Sequence, residues 1–238
     1  MANKAKTAEK PAVAESKVLV TQSDTFESRN EVKITGSVVH LYRVEDRNIV
    51  VLTIATSTGG KQSDFPKVVF YGKEALAIQD ALDLESGKRP QVSIVGSIQT
   101  SKQGEGATAV YRQNVIGSSL ALAPTSLESA LNIEVGNKTI ADENQVILVG
   151  RIVHLYHFDS KKTGSPLGTV LTLKTLGNRF NFPKITLFRD QSKIAQEMDV
   201  GDHVAVIGTI QTSRTVKDGA KTVYYETIIG SDIDWYKS

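Results

Sequence analysis

Apolar and polar residues alternate along most of the chain, and the alternating stretches are rich in Val, Ile and Thr. A period of two predicts strands that bury one face and expose the other. In the first part of the chain the pattern predicts strands at residues 32–44, 49–57, 67–71, 91–101 and 109–117. In the second part it predicts strands at residues 145–158, 168–175, 182–188, 203–213 and 221–229. Turn residues separate the strands, as in the Gly59-Gly60 and Asp218-Gly219 pairs.

These strands belong to an internal repeat. Residues 30–44 read NEVKITGSVVHLYRV, and residues 144–158 read NQVILVGRIVHLYHF. Further blocks recur in the same order at a nearly constant offset: VLTIAT and VLTLKT, FPKVVFY and FPKITLF, VSIVGSIQTSK and VAVIGTIQTSR, VYRQNVIGS and VYYETIIGS. Self-similarity over this length predicts two copies of one domain.

One helix is predicted between the third and fourth strands of each copy. In the first copy KEALAIQDALDLESG, from Lys73, places Leu76, Ile78, Ala81 and Leu82 largely on one face. The second copy has the shorter DQSKIAQEMDVG. Three strands, a helix and two strands within about 90 residues are the order of an OB-fold, a five-stranded Greek-key barrel. The glycines in strand middles fit the sharp coiling of such barrels, and they are Gly36, Gly96, Gly150 and Gly208.

The predicted fold class is therefore all-β, with two tandem OB-fold barrels at residues 30–118 and 144–238. Residues 1–29 are rich in Ala, Lys, Glu and Ser without apolar periodicity, so we expect a disordered arm. Residues 119–143 are expected to form an acidic connector, part of which packs against a domain through its Leu residues.

Composition narrows the function classes. The chain has 0 Cys, which excludes disulfides, thiolate zinc sites and cysteine nucleophiles. His40 and His154 fall at one equivalent position in separate domains, so we expect no metal and no cofactor. The sequence has no phosphate-binding loop or nucleophile elbow, which argues against an enzyme. Without a secretory signal or a membrane-length apolar run, we expect a cytoplasmic protein with no membrane partner.

Three segments resemble the bacterial family of single-stranded DNA-binding proteins. NQVILVGRI, from Asn144, is similar to the family's opening strand, and FPKVVFYGKEA, from Phe65, to its third strand and helix start. HVAVIGTIQTSRTVKDGAKTVYYETIIG, from His203, is similar to its last hairpin. The resemblance covers most of both copies. It implies sequence-tolerant binding and protection of single-stranded DNA in replication, recombination or repair.

The resemblance also implies which residues bind. Family members stack bases on aromatic rings and neutralise phosphates with Lys and Arg. Because neighbouring strand residues alternate faces, the rings of Phe70 and Tyr71 point to opposite sides, and core packing is the alternative for each candidate ring. The candidate nucleic-acid-binding residues are Phe65, Tyr71, Phe182, Phe188, Lys67, Lys184, Lys73, Lys102, Arg214, Tyr42 and Tyr156.

The family's barrels pair through strand one, so we expect a homodimer with four barrels and an interface at HLYRV and HLYHF. The alternative is a monomer whose own two barrels pair. Gln103 and Thr215 stand where the family has a tryptophan, and the chain ends in SDIDWYKS without the family's acidic tip for protein recruitment. The missing tryptophan motivates a second function, an OB-fold protein-interaction scaffold with a degenerate nucleic-acid face. The choice between DNA and RNA stays open.

Overall fold

The computed structural model describes residues 27–57, 62–82, 89–105, 110–122, 142–159, 166–177, 179–217 and 221–237. Most of the predicted arm and connector, the two predicted turn pairs and the end of the predicted first helix lie outside the described residues. No helix in the described part of the chain is long and apolar enough to cross a membrane.

Strands make up most of the described chain. The first copy forms β1 (Arg29–Val44), β2 (Ile49–Ala55), β3 (Lys67–Tyr71), α1 (Gly72–Ala81), β4 (Gln91–Gln103) and β5 (Val110–Leu122). The second forms β6 (Glu143–Asp159), β7 (Pro166–Leu176), β8 (Phe180–Asn181), β9 (Lys184–Phe188), α2 (Arg189–Ile194), β10 (His203–Lys217) and β11 (Lys221–Tyr236). Three strands, a helix and two strands recur in each copy, with the short β8 added in the second.

Each copy closes into a barrel of five strands. In the first, β1 pairs with β2 and β4, β2 pairs with β3, and β5 pairs with β4 and, in parallel, with β3. In the second, β6, β7, β9, β11 and β10 form the same ring. This closed order is that of the OB-fold, so the predicted all-β class with two OB-fold barrels is confirmed.

The first strand of each barrel contributes to two sides of the ring because it bends at a glycine. At Gly36, where β1 passes from β4 to β2, a Cβ would lie 2.3 Å from the carbonyl oxygen of Ala55. At Gly150, the equivalent residue of β6, a Cβ would lie 2.4 Å from the carbonyl oxygen of Lys174. Only glycine fits such a close approach of two backbones. The close approach at these two residues agrees with the expectation for glycines in strand middles.

Alternate residues of the strands fill the barrel interiors. Phe70 in β3 and Leu187 in β9 are fully buried. The predicted apolar face of α1 is partly wrong, since Leu76 is exposed and Ala75 is buried beside Ile78 and Leu82. The buried positions are spaced by three and four residues, which is the spacing of one helix face.

Several predicted strand boundaries also differ, and β1 begins at Arg29, inside the predicted arm, while β5 continues to Leu122, inside the predicted connector. The strand predicted at 182–188 begins at Lys184, because Pro183 has no N–H to donate to a ladder. The last hairpin is longer than predicted, so that β11 continues through Trp235 and pairs with the start of β10. Its greater length extends the contact between β10 and β11.

The two barrels are joined through their first strands. Arg29 to Thr35 of β1 pair antiparallel with Val149 to Glu143 of β6, and one eleven-stranded sheet runs through the chain. This is the arrangement of the alternative in which a chain's own barrels pair. HLYRV and HLYHF lie outside this seam, because β1 and β6 pair there with β2 and β7.

An asparagine fixes each end of the seam. The side-chain amide of Asn144, which is buried, accepts from the N–H of Ile210 at 2.9 Å and donates to its carbonyl oxygen at 2.8 Å. The amide of Asn30 makes the same two bonds to Ile98, both at 2.8 Å. Each amide thereby satisfies one backbone donor and one acceptor beside the seam.

Candidate nucleic-acid interface

The segment before β3 and the segment before β9 each present one exposed ring. The side chains of Phe65 and Phe182 are 44% and 42% exposed. The backbone N–H of Phe65 donates to the hydroxyl of Thr212 at 3.0 Å, and that of Phe182 donates to the hydroxyl of Thr100 at 2.9 Å. Each threonine belongs to the barrel that does not carry the ring. Both barrels together therefore hold each ring in place.

The same contacts are reciprocal. The N–H of Thr212 donates to the carboxylate of Asp64 at 2.8 Å, and the N–H of Thr100 donates to the amide oxygen of Asn181 at 3.1 Å. We call these contacts the inter-barrel clasp, formed by Asp64, Phe65 and Thr212 on one side and by Asn181, Phe182 and Thr100 on the other. The repeated IQTS segment, plain strand sequence in appearance, supplies both threonines.

Two candidate lysines follow the clasp. The backbone N–H of Lys67 donates to the carboxylate of Glu226 at 3.0 Å, and that of Lys184 donates to the amide oxygen of Gln113 at 2.9 Å. Both lysine side chains are exposed. The ammonium of Lys184 lies 5.9 Å from the ring centroid of Tyr111, which is in the other barrel. The backbones are thus anchored across the seam while the charges face outwards.

Each last hairpin adds a cation and a ring to this group. Lys102 of β4 lies directly opposite Tyr111 of β5, and Arg214 of β10 lies directly opposite Tyr224 of β11. Directly opposed residues share one face of a hairpin. All four side chains are exposed. The structure therefore brings six of the predicted residues together beside the clasp, where the two barrels meet. They form two equivalent groups: Phe65, Lys67 and Arg214, and Phe182, Lys184 and Lys102.

The remaining candidates lie away from these two groups, on β1, β3, α1, β6 and β9. Tyr71 and Phe188 are four residues beyond the lysines, roughly 13 Å along a strand. Both are exposed, and so are Tyr42, Tyr156 and Lys73. The alternative of core packing therefore does not describe any of the candidate rings, and the barrel interiors are filled from the other strand face.

Sequence reasoning missed further exposed rings. Tyr111 and Tyr224 were detectable as the strand partners of the two hairpin cations. Phe158 of β6 is half-buried, and its ring centroid lies 6.4 Å from that of Tyr156 and 6.1 Å from that of Phe188. The ammonium of Lys174 lies 4.0 Å above the ring centroid of Phe180, a cation–π contact. Among the described residues no group of three or more His, Asp or Glu is placed to hold a metal ion.

The two side chains that accept from the N–H groups of Lys67 and Lys184 differ in charge. Glu226 is half-buried, and burial raises the pKa of its carboxyl, while the hydrogen bond from the Lys67 N–H and the positive charge of Lys67 act in the opposite direction. The neutral amide of Gln113 occupies the equivalent position on the other side and also donates to the carbonyl oxygen of Lys184, at 3.5 Å.

Comparison with known proteins identifies the fold. No protein-family model and no curated protein matches the chain. The fold is similar to the crystal structure of the wild-type single-stranded DNA-binding protein from Thermus aquaticus, with 15% sequence identity and a TM-score of 0.62 over 89% of this chain and 95% of that chain. A deletion mutant of the same protein matches with 15% identity and a TM-score of 0.63 over 89% and 96%. At this identity the likeness establishes the fold.

Glu226→Gln is expected to stabilise the protein at neutral pH. Because burial raises the carboxyl pKa, the folded state binds the proton more tightly than the unfolded state. The stabilising contribution of the protonated carboxyl is present below the unfolded-state pKa and is lost as pH rises through the folded-state pKa. The amide of Glu226→Gln stays neutral at every pH and adds a hydrogen-bond donor. We therefore expect the free energy of unfolding at pH 7 to rise by about 1 kcal/mol.

Denaturant unfolding between about pH 4 and pH 8 measures this effect, since the range spans the carboxyl titration. Gln113→Glu is the matched control and should lose stability at neutral pH. If the free energy of unfolding changed with pH in the same way for the wild type and Glu226→Gln, the raised pKa of the Glu226 carboxyl would be contradicted.

Proposed function

We propose that the chain binds single-stranded DNA with little sequence preference and protects it during replication, recombination or repair. The observation that carries the proposal is the pair of exposed rings, Phe65 and Phe182, each held by hydrogen bonds from the other barrel beside exposed cations. The two solved structures compared above are described as single-stranded DNA-binding proteins, which supports this class of ligand.

Exposed rings and cations are the two chemistries that unpaired nucleic acid requires. Every base has a π-face, so stacking on an aromatic ring tolerates any sequence and contributes about 1–3 kcal/mol per base. Phosphates attract Lys and Arg and release counterions on binding. Phe65 and Phe182 each have a lysine two residues further along the chain, Lys67 and Lys184, so a stacked base has a cation close to its phosphate.

The hairpins supply a ring where the family's tryptophan is absent. Gln103 and Thr215 are exposed and offer no aromatic face. Tyr111 and Tyr224 are 61% and 62% exposed and lie opposite the cations Lys102 and Arg214. A strand stacked on the clasp ring of one barrel would continue over the hairpin of the other. This arrangement favours DNA binding over the scaffold alternative, in which the face would have lost its rings.

Association of two copies is the second part of the proposal. Val95 of β4 and Ile207 of β10 occupy equivalent positions outside the barrels and are 38% and 40% exposed. Ile147 of β6 lies directly opposite Ile207 in the joined sheet. Lys33 lies directly opposite Val95 and Glu31 directly opposite Ile147, so this face combines exposed apolar residues with a salt bridge, as protein–protein contacts do. We propose that this outer face, not HLYRV and HLYHF, joins two chains into a homodimer with four barrels.

Affinity for oligo-dT should fall steeply with salt. Neutralisation of each phosphate contributes about −0.7 to the log–log slope on a single strand, so the four seam cations predict a slope of about −3. Titration of labelled oligo-dT at several salt concentrations measures the slope, and oligo-U titrated in parallel reports the preference between DNA and RNA. Undetectable or salt-insensitive binding would remove the proposed function.

Phe65→Ala and Phe182→Ala should each weaken oligo-dT binding by about 1–3 kcal/mol, because each removes one stacking surface. Val200→Ala is the matched control, since Val200 is an exposed apolar residue that lies just before the start of β10, away from Thr212. The Val200→Ala variant should bind oligo-dT with the affinity of the wild type. Unchanged affinity in both phenylalanine variants, with unchanged unfolding, would favour the scaffold.

The mass in solution should be twice the chain mass of 25.8 kDa. Ile207→Glu places a charge on the outer sheet face and should return the protein to the single-chain mass, whereas Val200→Glu should not. Sedimentation equilibrium measures both, and a single-chain mass for the wild type would reject the homodimer.

A further inference from the structure

The rings of Tyr156, Phe158 and Phe188 form a row on the second barrel. Two of them stand in register on either side of a glycine. Phe158 of β6 lies opposite Gly168 of β7, and Gly168 lies opposite Phe188 of β9. A Cβ on Gly168 would lie 2.5 Å from the ring of Phe158, so the glycine leaves the space that the ring occupies. The ring of Phe158 meets that of Phe188 edge to face, at an interplanar angle of 90°. On its other side it lies nearly parallel to Tyr156, at 15°.

The first barrel has a different set at the same three positions. Val44 of β1 lies opposite Ile49 of β2, and Ile49 lies opposite Tyr71 of β3. Where the second barrel has Phe158 and Gly168, the first barrel therefore has two β-branched residues, Val44 and Ile49. The two changes are linked physically, because a ring that lies over the middle strand needs the glycine, whereas Val44 leaves room for Ile49.

A cation beside the row is held in an unfavourable backbone conformation. Arg189 follows Phe188 directly and has a φ of 52°, in the left-handed region that favours glycine. The equivalent residue of the first barrel is Gly72, with a φ of 59°. The turn thus has the same shape in both barrels, and only the second places a charged side chain there. The adjacent Asp190 forms a salt bridge with Lys193 at 2.9 Å.

We propose that Tyr156, Phe158, Phe188 and Arg189 form a base-stacking subsite that the second barrel alone possesses, and that this barrel holds a single strand more tightly than the first. The inference rests on the proposed function. Phe188, at one end of the row, lies on the same strand β9 as Lys184, so a DNA strand leaving the clasp along β9 reaches the row. Ring faces take the bases and the guanidinium takes a phosphate, with no dependence on base identity.

The matched pair Tyr156→Ala and Tyr42→Ala tests the subsite in the full chain. The two tyrosines are equivalent in sequence and 57% and 58% exposed, so truncation leaves no cavity in either core. We expect Tyr156→Ala to weaken binding of oligo-dT about tenfold and Tyr42→Ala about threefold or less, in keeping with the free energy of stacking one base. Equal losses in the two variants would overturn the inference.

Phe158→Val, which introduces the residue of the first barrel, should also weaken oligo-dT binding about tenfold, because it removes the centre of the row. Val44→Ala is its control and should bind within twofold of the wild type. Thermal unfolding reports whether Phe158→Val is folded. Phe158→Trp retains a ring at the position and should bind within threefold of the wild type.

The outcomes separate the inference from the proposed function. A wild-type chain that binds no oligo-dT contradicts both. A wild-type chain that binds oligo-dT and loses affinity in Phe65→Ala, but not in Tyr156→Ala or Phe158→Val, overturns the subsite and leaves the proposed function standing. Weaker binding in both row variants, with Phe158→Trp close to the wild type, supports the subsite.

Discussion

Antiparallel pairing of β1 with β6 sets how the two barrels meet. Both strands are already part of a closed barrel, and the bends at Gly36 and Gly150 leave their opening residues able to pair with each other. The pairing fixes the two barrels in one relative orientation. In that orientation the IQTS strand of each barrel reaches the segment before the third strand of the other, and Thr100 and Thr212 complete the clasp.

Because of the clasp, neither barrel alone holds the rings of the candidate interface in place. Phe65 and Phe182 stand just before β3 and β9, and their backbones are held by side chains from the opposite barrel. Gene-internal repetition supplies both halves of each contact from one sequence pattern. The copies have since diverged, with Glu226 against Gln113 at the seam and Phe158 against Val44 at the strand ends. Divergence of this kind gives the two barrels unequal chemistry on one scaffold.

The sequence predicts the barrels well because their determinants are local. Period-two alternation and the repeat establish the strands. Alternation also predicts that Phe70 and Tyr71 face opposite sides without saying which is buried, and in the structure Phe70 is buried and Tyr71 is exposed. The pairing of β1 with β6 depends on strand edges, which side-chain pattern does not distinguish. Contact of Phe158 with Phe188 depends on Gly168 in a third strand, so no local period reveals it. Leu76 was misassigned because several helix faces fit so short an apolar set.

A structure of the chain with a short oligo-dT would show where the DNA strand lies. We expect bases stacked on Phe65 and Phe182, with the sugar–phosphate backbone crossing from each ring to Arg214 or Lys102 of the opposite barrel. A strand bound elsewhere, with both rings facing solvent and the seam cations distant from phosphate, would contradict this expectation.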